Sequence, residues 1–288
     1  MRPVAEFSKW QGIGNDYVIV ATGELPFELG PARVSLICDR HYGIGADGVL
    51  AWSGSSTAEF RMDIFNPDGS RAEMCGNGIR MLARHLYRRG LSGSATFTVD
   101  TDAGVVTPTV REDGMVRVKM GRAAVGGSAI RGFDGTAGSS EAVPARLEAA
   151  GQEYTFTFVD MGNPHCVIVA DDLDSVDLEA EGPAIENHQL FPERANVEFL
   201  RVDGPAEVTM KVWERGVGET RACGTGACAV AVAACRSGKA RSPMTVHLPG
   251  GDLEIEVDDD LNVTMTGPAE EVYSGNMSEG FIKRIKEL

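Results

Sequence analysis

The sequence predicts a mixed α/β chain of two similar, strand-rich halves, each built around one helix. Three observations predict it. Cys75-Gly76-Asn77-Gly78 and Cys223-Gly224-Thr225-Gly226 stand 148 residues apart. The same offset sets Gly14-Asn15 on Gly162-Asn163, Val49 on Val197, Met62 on Met210, Ala83 on Ala231 and Gly90 on Gly238, with no gap. Short alternating apolar segments recur in both halves, as half-buried strands require, and one strong helical segment follows each of the two cysteines.

Taken in order, the alternation predicts strands over residues 5–10, 17–21, 60–65, 95–99 and 115–120. In the second half it predicts them over 154–159, 166–169, 195–200, 208–213, 245–248 and 253–257. A helix is expected over 31–39. After Cys75, the residues Ile79, Leu82, Ala83 and Leu86 share one helical face, and Gly90 ends the run. The matching segment 227–235 is apolar on every side, so strands must surround it. Residues 122–144 are rich in Gly, Ala and Ser and read as the crossover between halves. The repeat begins near residue 1, which leaves the residues after Gly267 outside a second copy; the tail 281–288 is expected to return to the first half. The division expected is therefore 1–121 with 268–288, and 122–267.

A chain of 288 residues can bury a substantial core, and its length favours two domains. A formal net charge of -15 argues against nucleic acid or an anionic membrane as partner, since both need a basic surface. The longest apolar run is too short to span a bilayer, and the first residues carry no apolar signal region, so a cytoplasmic location is expected. Six cysteines in no framework spacing fit a reducing compartment with free thiols.

Cysteine is ordinarily a small apolar core residue, and Cys38, Cys228 and Cys235 are read that way. Cys75 and Cys223 differ: each precedes Gly-x-Gly, follows a polar loop and opens a helix. A helix N-terminus carries partial positive charge and N–H groups without intrahelical partners, which lowers a thiol's pKa and binds carboxylates. Two thiols duplicated in this way suit a reaction that works on both faces of one small molecule. The loops before them diverge, Asn66-Pro67-Asp68-Gly69 against Glu214-Arg215-Gly216-Val217, as an unsymmetrical substrate demands. Alone, the first loop would read as a turn and Glu214-Arg215 as a solvated ion pair. His165 and its partner Tyr17 begin equivalent strands, and Asn196 is a further candidate amide. Gly43-Ile44-Gly45-Ala46-Asp47-Gly48 matches the dinucleotide fingerprint in letters only, because it follows a helix and leads into a strand. No Cys/His spacing suggests a metal.

Together, Met74-Cys75-Gly76-Asn77-Gly78, Met161-Gly162-Asn163-Pro164-His165-Cys166, Phe191-Pro192-Glu193-Arg194-Ala195-Asn196 and the run from Glu214 to Ala227 closely resemble the diaminopimelate epimerase family. The resemblance spans almost the whole chain. It implies two pseudo-symmetric barrel-like domains, each around a central helix, with the active site in the cleft between them. It also implies a cofactor-independent isomerase that interconverts LL- and meso-2,6-diaminopimelate for lysine and peptidoglycan synthesis. By matched position, Cys75 and Cys223 are the acid/base thiols, with His165 and Glu214 beside the reacting centre. Gly76, Asn77, Gly224 and Thr225 hold the reacting carboxylate. Asn15, Asn66, Asn163, Asn196, Glu214 and Arg215 contact substrate, Arg215 at the distal carboxylate. Tyr273 matches a tyrosine at the family's homodimer contact. Gly48 stands where some members have a substrate-binding Gln, and Thr225 replaces a frequent Ser. A two-thiol racemase of another amino acid is the nearest rival, and a thiol redox or metal-binding protein is the rival from another class.

Overall fold

The structure, a computed structural model, describes residues 5–126 and 144–288. Most of the stretch read as a crossover therefore lies outside the described residues. The chain divides into two compact units, Met1–Val118 with Gly267–Leu288, and Lys119–Thr266.

The first unit opens with β1 (Glu6–Gly12) and β2 (Asn15–Ala21), an antiparallel pair. Ile13 and Gly14 join them, both at positive φ, 47° and 84°. That is the conformation a two-residue hairpin demands, and it is uncommon for a β-branched residue. Then follow α1 (Pro31–Cys38), β3 (Val49–Gly54), β4 (Phe60–Phe65), β5 (Arg71–Ala72), α2 (Gly76–Arg88), β6 (Val99–Thr101), β7 (Gly104–Val106) and β8 (Thr109–Val110). β9 (Val116–Arg122) runs across the boundary between the units.

The second unit contains β10 (Ala124–Val125), β11 (Ala145–Ala149), β12 (Gln152–Asp160), β13 (Pro164–Val169), α3 (Leu178–Glu186), β14 (Asn196–Gly204) and β15 (Glu207–Glu214). It continues through β16 (Gly218–Glu219), α4 (Gly224–Arg236), β17 (Met244–Leu248), β18 (Gly251–Val257) and β19 (Asn262–Gly267). The chain re-enters the first unit as β20 (Glu270–Asn276), which pairs antiparallel with β1, and α5 (Glu279–Lys286).

The 148-residue offset carries through the architecture. It maps α2 onto α4 residue for residue, and α1 onto α3 within one residue at the start. In the first unit the sheet order is β20-β1-β2-β3-β4-β6-β7; in the second it runs β10-β12-β13-β14-β15-β17-β18-β19. Parallel pairing falls at equivalent places, β2 with β3 and β4 with β6, then β13 with β14 and β15 with β17. Parallel neighbours need a crossover, and each of these is bridged by one of the first four helices. The two cysteine-led helices are thus crossover helices, each joining a strand to its parallel neighbour in the sheet, β4 to β6 and β15 to β17.

Among the described residues the sheet paths do not close into barrels. The apolar helix is nevertheless surrounded: α4 packs against β12, β13, β14, β15, β17 and β18, and Ala227–Ala234 are all buried. Each fully buried Val there contributes roughly 1.5–3 kcal/mol of transfer free energy.

α2 holds a surprise for pattern reading. Its apolar face is buried as expected, but Arg80 and His85 are buried as well. The strand expected over 95–99 forms instead at Val99–Thr101, with Thr96 making only an isolated bridge to Thr109. The sequence reading contains no α3, a helix that carries Gly182 and Pro183 in its interior. The glycine is needed there, since a Cβ on it would lie 2.6 Å from the Trp213 ring.

Candidate active site

Cys75 and Cys223 are the N-cap residues of α2 and α4. Both have extended backbone, with φ/ψ of -141°/114° and -121°/108°. In each, Sγ accepts from the N–H three residues on: Gly78 N at 3.2 Å and Gly226 N at 3.3 Å. A cap normally uses an oxygen at this place. A sulfur here receives the helix's positive end directly, an arrangement that favours developing thiolate.

Around Cys75, Asn77 Nδ2 donates to Asn15 Oδ1 (3.3 Å), and Asn15 Nδ2 donates to Asp47 Oδ2 (3.0 Å). Arg40 grips both Asp16 and Asp47, at 2.8 and 2.7 Å, and so fixes the carboxylate that orients Asn15. Burial would raise the Asp16 pKa, but hydrogen bonds from Arg40 and Lys9 bring it down to about 2. From inside the helix, Arg80 donates to Asn77 Oδ1 (2.8 Å), Gly76 O (3.1 Å) and Pro268 O (3.3 Å). Asn66 Nδ2 donates to Ser70 Oγ within its turn (2.9 Å). Gly48 is a packing requirement: a Cβ there would lie 2.4 Å from the Tyr17 ring and 2.5 Å from Phe65 O.

Around Cys223 the framework is the same and the chemistry differs. Asn163 Nδ2 donates to Thr225 Oγ1 at 3.3 Å, the offset equivalent of the Asn77–Asn15 bond. Thr225 Oγ1 lies 3.6 Å from Cys223 Sγ. His165 is fully buried, with Nε2 3.0 Å from Asn163 Oδ1 and Nδ1 2.6 Å from Glu198 Oε1. Asn196 Nδ2 donates to Pro164 O, and its Oδ1 accepts from the Arg215 N–H at 2.9 Å. The Arg215 guanidinium donates to Glu193 O (3.1 Å). Beneath that turn, the buried Glu186 carboxylate accepts from Gly216 N–H (2.8 Å), Trp213 Nε1 (2.8 Å) and Arg194 (3.0 Å).

Exposure separates the two thiols. Cys75 is partly exposed and Cys223 buried. Burial, then the charges of Glu214 and Glu198, push the Cys223 thiol well above its ordinary value; the Thr225 hydroxyl and Gly226 N–H only partly oppose them. The lowering expected from a helix N-terminus is thus outweighed in this unit. Burial also raises the Glu214 carboxyl, offset by hydrogen bonds from Thr220 and the Cys223 thiol. Desolvation penalises the charged form of each group and so shifts both toward the neutral form.

Within the first unit the structure brings together Cys75, Gly76, Asn77 and Asn15. Within the second it brings together Cys223, Gly224, Thr225, Asn163, His165, Glu214, Asn196 and Arg215. Tyr273 stands apart on β20, about half exposed, in edge contact with Phe7. Sequence reasoning passed over Glu198 and Thr220, which touch His165 and Glu214. A signal for Glu198 existed: it is the one ionisable residue in the apolar run 195–200, where the offset partner is Leu50. Among the described residues no cluster of three or more His, Cys, Asp or Glu could hold a metal ion.

A family model described as diaminopimelate epimerase matches residues 7–125 and 157–272. The chain is 48% identical over 275 residues to a diaminopimelate epimerase of Pelotomaculum thermopropionicum, covering 93% of this chain and 97% of the relative. It is 46% identical over 293 residues to one of Desulfitobacterium hafniense, covering 95% and 98%. Among solved structures, a hydroxyproline epimerase from Agrobacterium vitis shares the fold, with a TM-score of 0.68 at 15% identity over 96% of this chain and 91% of the other. A Bacillus anthracis protein of the phenazine-biosynthesis PhzF family gives 0.67 at 18%, over 96% and 99%. The duplicated cysteine caps and these matches lead to one conclusion: the chain belongs to the diaminopimelate epimerase family of isomerases.

Proposed function

We propose that this chain interconverts LL- and meso-2,6-diaminopimelate with Cys75 and Cys223 as its acid/base pair and no cofactor. The observation that carries the reading is the duplicated cap, one sulfur at each crossover helix with its Sγ on an N3 N–H. In the proposed reaction, one thiolate removes the α-proton while the other thiol delivers a proton to the opposite face. Charge builds on the α-carboxylate, and the N–H groups of the two helix starts, Gly76-Asn77 and Gly224-Thr225, stabilise it. The thiols titrate as a coupled unit, since one must be ionised while the other is protonated.

His165 and Glu214 flank the reacting centre in this reading. Arg215 holds the distal carboxylate bidentately, and Asn15, Asn66, Asn163 and Asn196 orient the remaining polar groups. The asparagine hydrogen bonds described above support the assignment: Asn15, Asn163 and Asn196 are each held through both amide nitrogen and oxygen, which fixes their orientation, and an amide with two N–H groups and two lone pairs keeps capacity for a ligand. The proposal extends to a cytoplasmic homodimer with Tyr273 at its contact. That residue is an exposed aromatic on the outer strand β20.

The test is incubation of LL-diaminopimelate with metal-free, pyridoxal-free protein in deuterated water. Formation of the meso isomer with deuterium at one α-carbon is expected. Comparable turnover of lysine or proline would overturn the substrate assignment in favour of a broader racemase.

A further inference from the structure

We propose that Glu198 is a positioning residue for the chemistry at Cys223, acting through His165. The inference rests on the reading of Cys223 as an acid/base thiol. β13 and β14 run parallel with His165 opposite Asn196. Side chains two apart share a sheet face, so Glu198 lies on the His165 side. Both side chains are wholly buried, 2.6 Å apart between Nδ1 and Oε1. From there a continuous polar chain leads to the sulfur. His165 Nε2 meets Asn163 Oδ1 at 3.0 Å, Asn163 Nδ2 donates to Thr225 Oγ1 at 3.3 Å, and Thr225 Oγ1 lies 3.6 Å from Cys223 Sγ. With the Asn163 amide nitrogen spent on Thr225, its oxygen accepts and His165 Nε2 donates. Each member is oriented by the one behind it, and Glu198 is the last.

A second observation places Glu198 beside the thiol itself. A Cβ added to Gly226 would stand 2.9 Å from Glu198 Oε1 and 3.1 Å from Cys223 Sγ, so the carboxylate and the sulfur flank one carbon-sized gap. At the offset position Gly78 faces Leu50 instead, at 3.1 Å. The repeat therefore builds this strand pair with Leu50 and Tyr17 in one unit, and with Glu198 and His165 in the other. The apolar version shows that the fold does not require a carboxylate. A buried carboxylate–imidazole pair is no better for stability than apolar residues of similar size, so its presence beside Cys223 points to chemistry. Glu198 Oε2 has no hydrogen-bond partner among the described residues, so the bond from Oε1 to His165 Nδ1 is what anchors the carboxyl group. The titratable groups facing it are His165 and Cys166 from β13, Glu214 from β15 and Cys223 from α4. Its charge favours the protonated thiol, and its bond to Nδ1 holds the ring against Asn163.

The experiment uses the full-length protein with Glu198→Gln and Glu198→Asp, folding checked by circular dichroism. Glu198→Gln keeps the shape and removes the charge. It should lower kcat about 10-fold to 10²-fold, the scale of a lost orienting partner, with KM for diaminopimelate changed less than about twofold. Alkylation of Cys223 by iodoacetamide, followed by peptide mass mapping across pH, should begin at lower pH than in the unaltered protein. Cys75 should be unchanged. Glu198→Asp, which keeps the charge, should restore the Cys223 profile more than the turnover. A folded Glu198→Gln protein with unaltered kcat and an unaltered Cys223 profile would overturn the proposal. If neither variant folds, imidazole NMR of the unaltered protein decides. A far-downfield proton on Nδ1 that disappears in His165→Gln is expected, and its absence overturns the proposal. If the unaltered protein fails to turn over diaminopimelate while Glu198→Gln still shifts Cys223 alkylation, the substrate reading fails and the positioning role stands.

Discussion

α2 and α4 are the same helix by offset, length and cap, yet their buried polar groups sit in opposite places. In the first unit they are on the helix: Arg80 and His85 lie inside, where α4 has Cys228 and Ala233. In the second unit the helix is apolar from residue 227 to 235, and the buried polar groups beside the sulfur come from the strands, His165 on β13, Glu198 on β14 and Glu214 on β15. The first cysteine thus has a cation behind its helix start and the second has carboxylates beside its sulfur. One backbone plan supports both because a cap needs only an extended residue before the helix and a free acceptor on it. What the acceptor does chemically is left to the neighbours.

The strongest way to break this comparison is to remove each sulfur in turn. Cys75→Ala and Cys223→Ala should each reduce epimerisation by about 10²–10⁴-fold, the range for a lost acid/base group. Steady-state assays in both directions check it. Near-normal turnover by either variant would mean that one half is a structural echo of the other.

A sharper test moves the asymmetry from one unit to the other. Leu50 is wholly buried and is the offset partner of Glu198. Leu50→Glu would place a carboxylate where Tyr17 stands in for His165, with no imidazole to receive it. Denaturant unfolding should show a loss of about 3–5 kcal/mol, the cost of an unpaired buried charge. A stable variant would show that the first unit already has room and partners for a second such pair.

The smallest effect is a pH dependence peculiar to the first unit's helix. Burial, with Arg89 nearby, depresses the His85 pKa from 6.5 to about 4, and Ser8 Oγ lies 3.1 Å from its Nδ1. A depressed folded pKa means that the unfolded chain binds the proton first. His85 therefore contributes stability that is whole above pH 6.5 and is lost as pH falls through about 4. The shift corresponds to about 3 kcal/mol at most. His85→Gln should flatten the acid limb of the stability–pH curve, measured by urea unfolding between neutral and acid pH. An unchanged limb would transfer the acid sensitivity to other groups.

The repeat offset carried much of this to the reader of the sequence. It paired the caps, the helices that follow them and most strands, because backbone plan is written in spacing: glycines at turns, alternation along strands, apolar runs in buried helices. The cysteines stood out because a thiol before Gly-x-Gly at a helix start is legible locally. α3 was hidden by Gly182-Pro183, a local breaker that packing against Trp213 overrides. Buried Arg80 and His85 were hidden because a polar position on an amphipathic helix normally means solvent.

The sequence by itself determined the duplication, the strand-rich α/β class and the placing of a sulfur at each crossover helix, since all of these follow from periodicity and local backbone chemistry. Only the tertiary structure decided which charges surround each sulfur. Glu198 and His165 are 33 residues apart and meet because two parallel strands align them; no local pattern encodes that. Whether a thiol at a helix start is pushed toward ionisation or held protonated depends on the balance of burial, neighbouring carboxylates and N–H donors. That balance is set by packing, and it is where the two halves part.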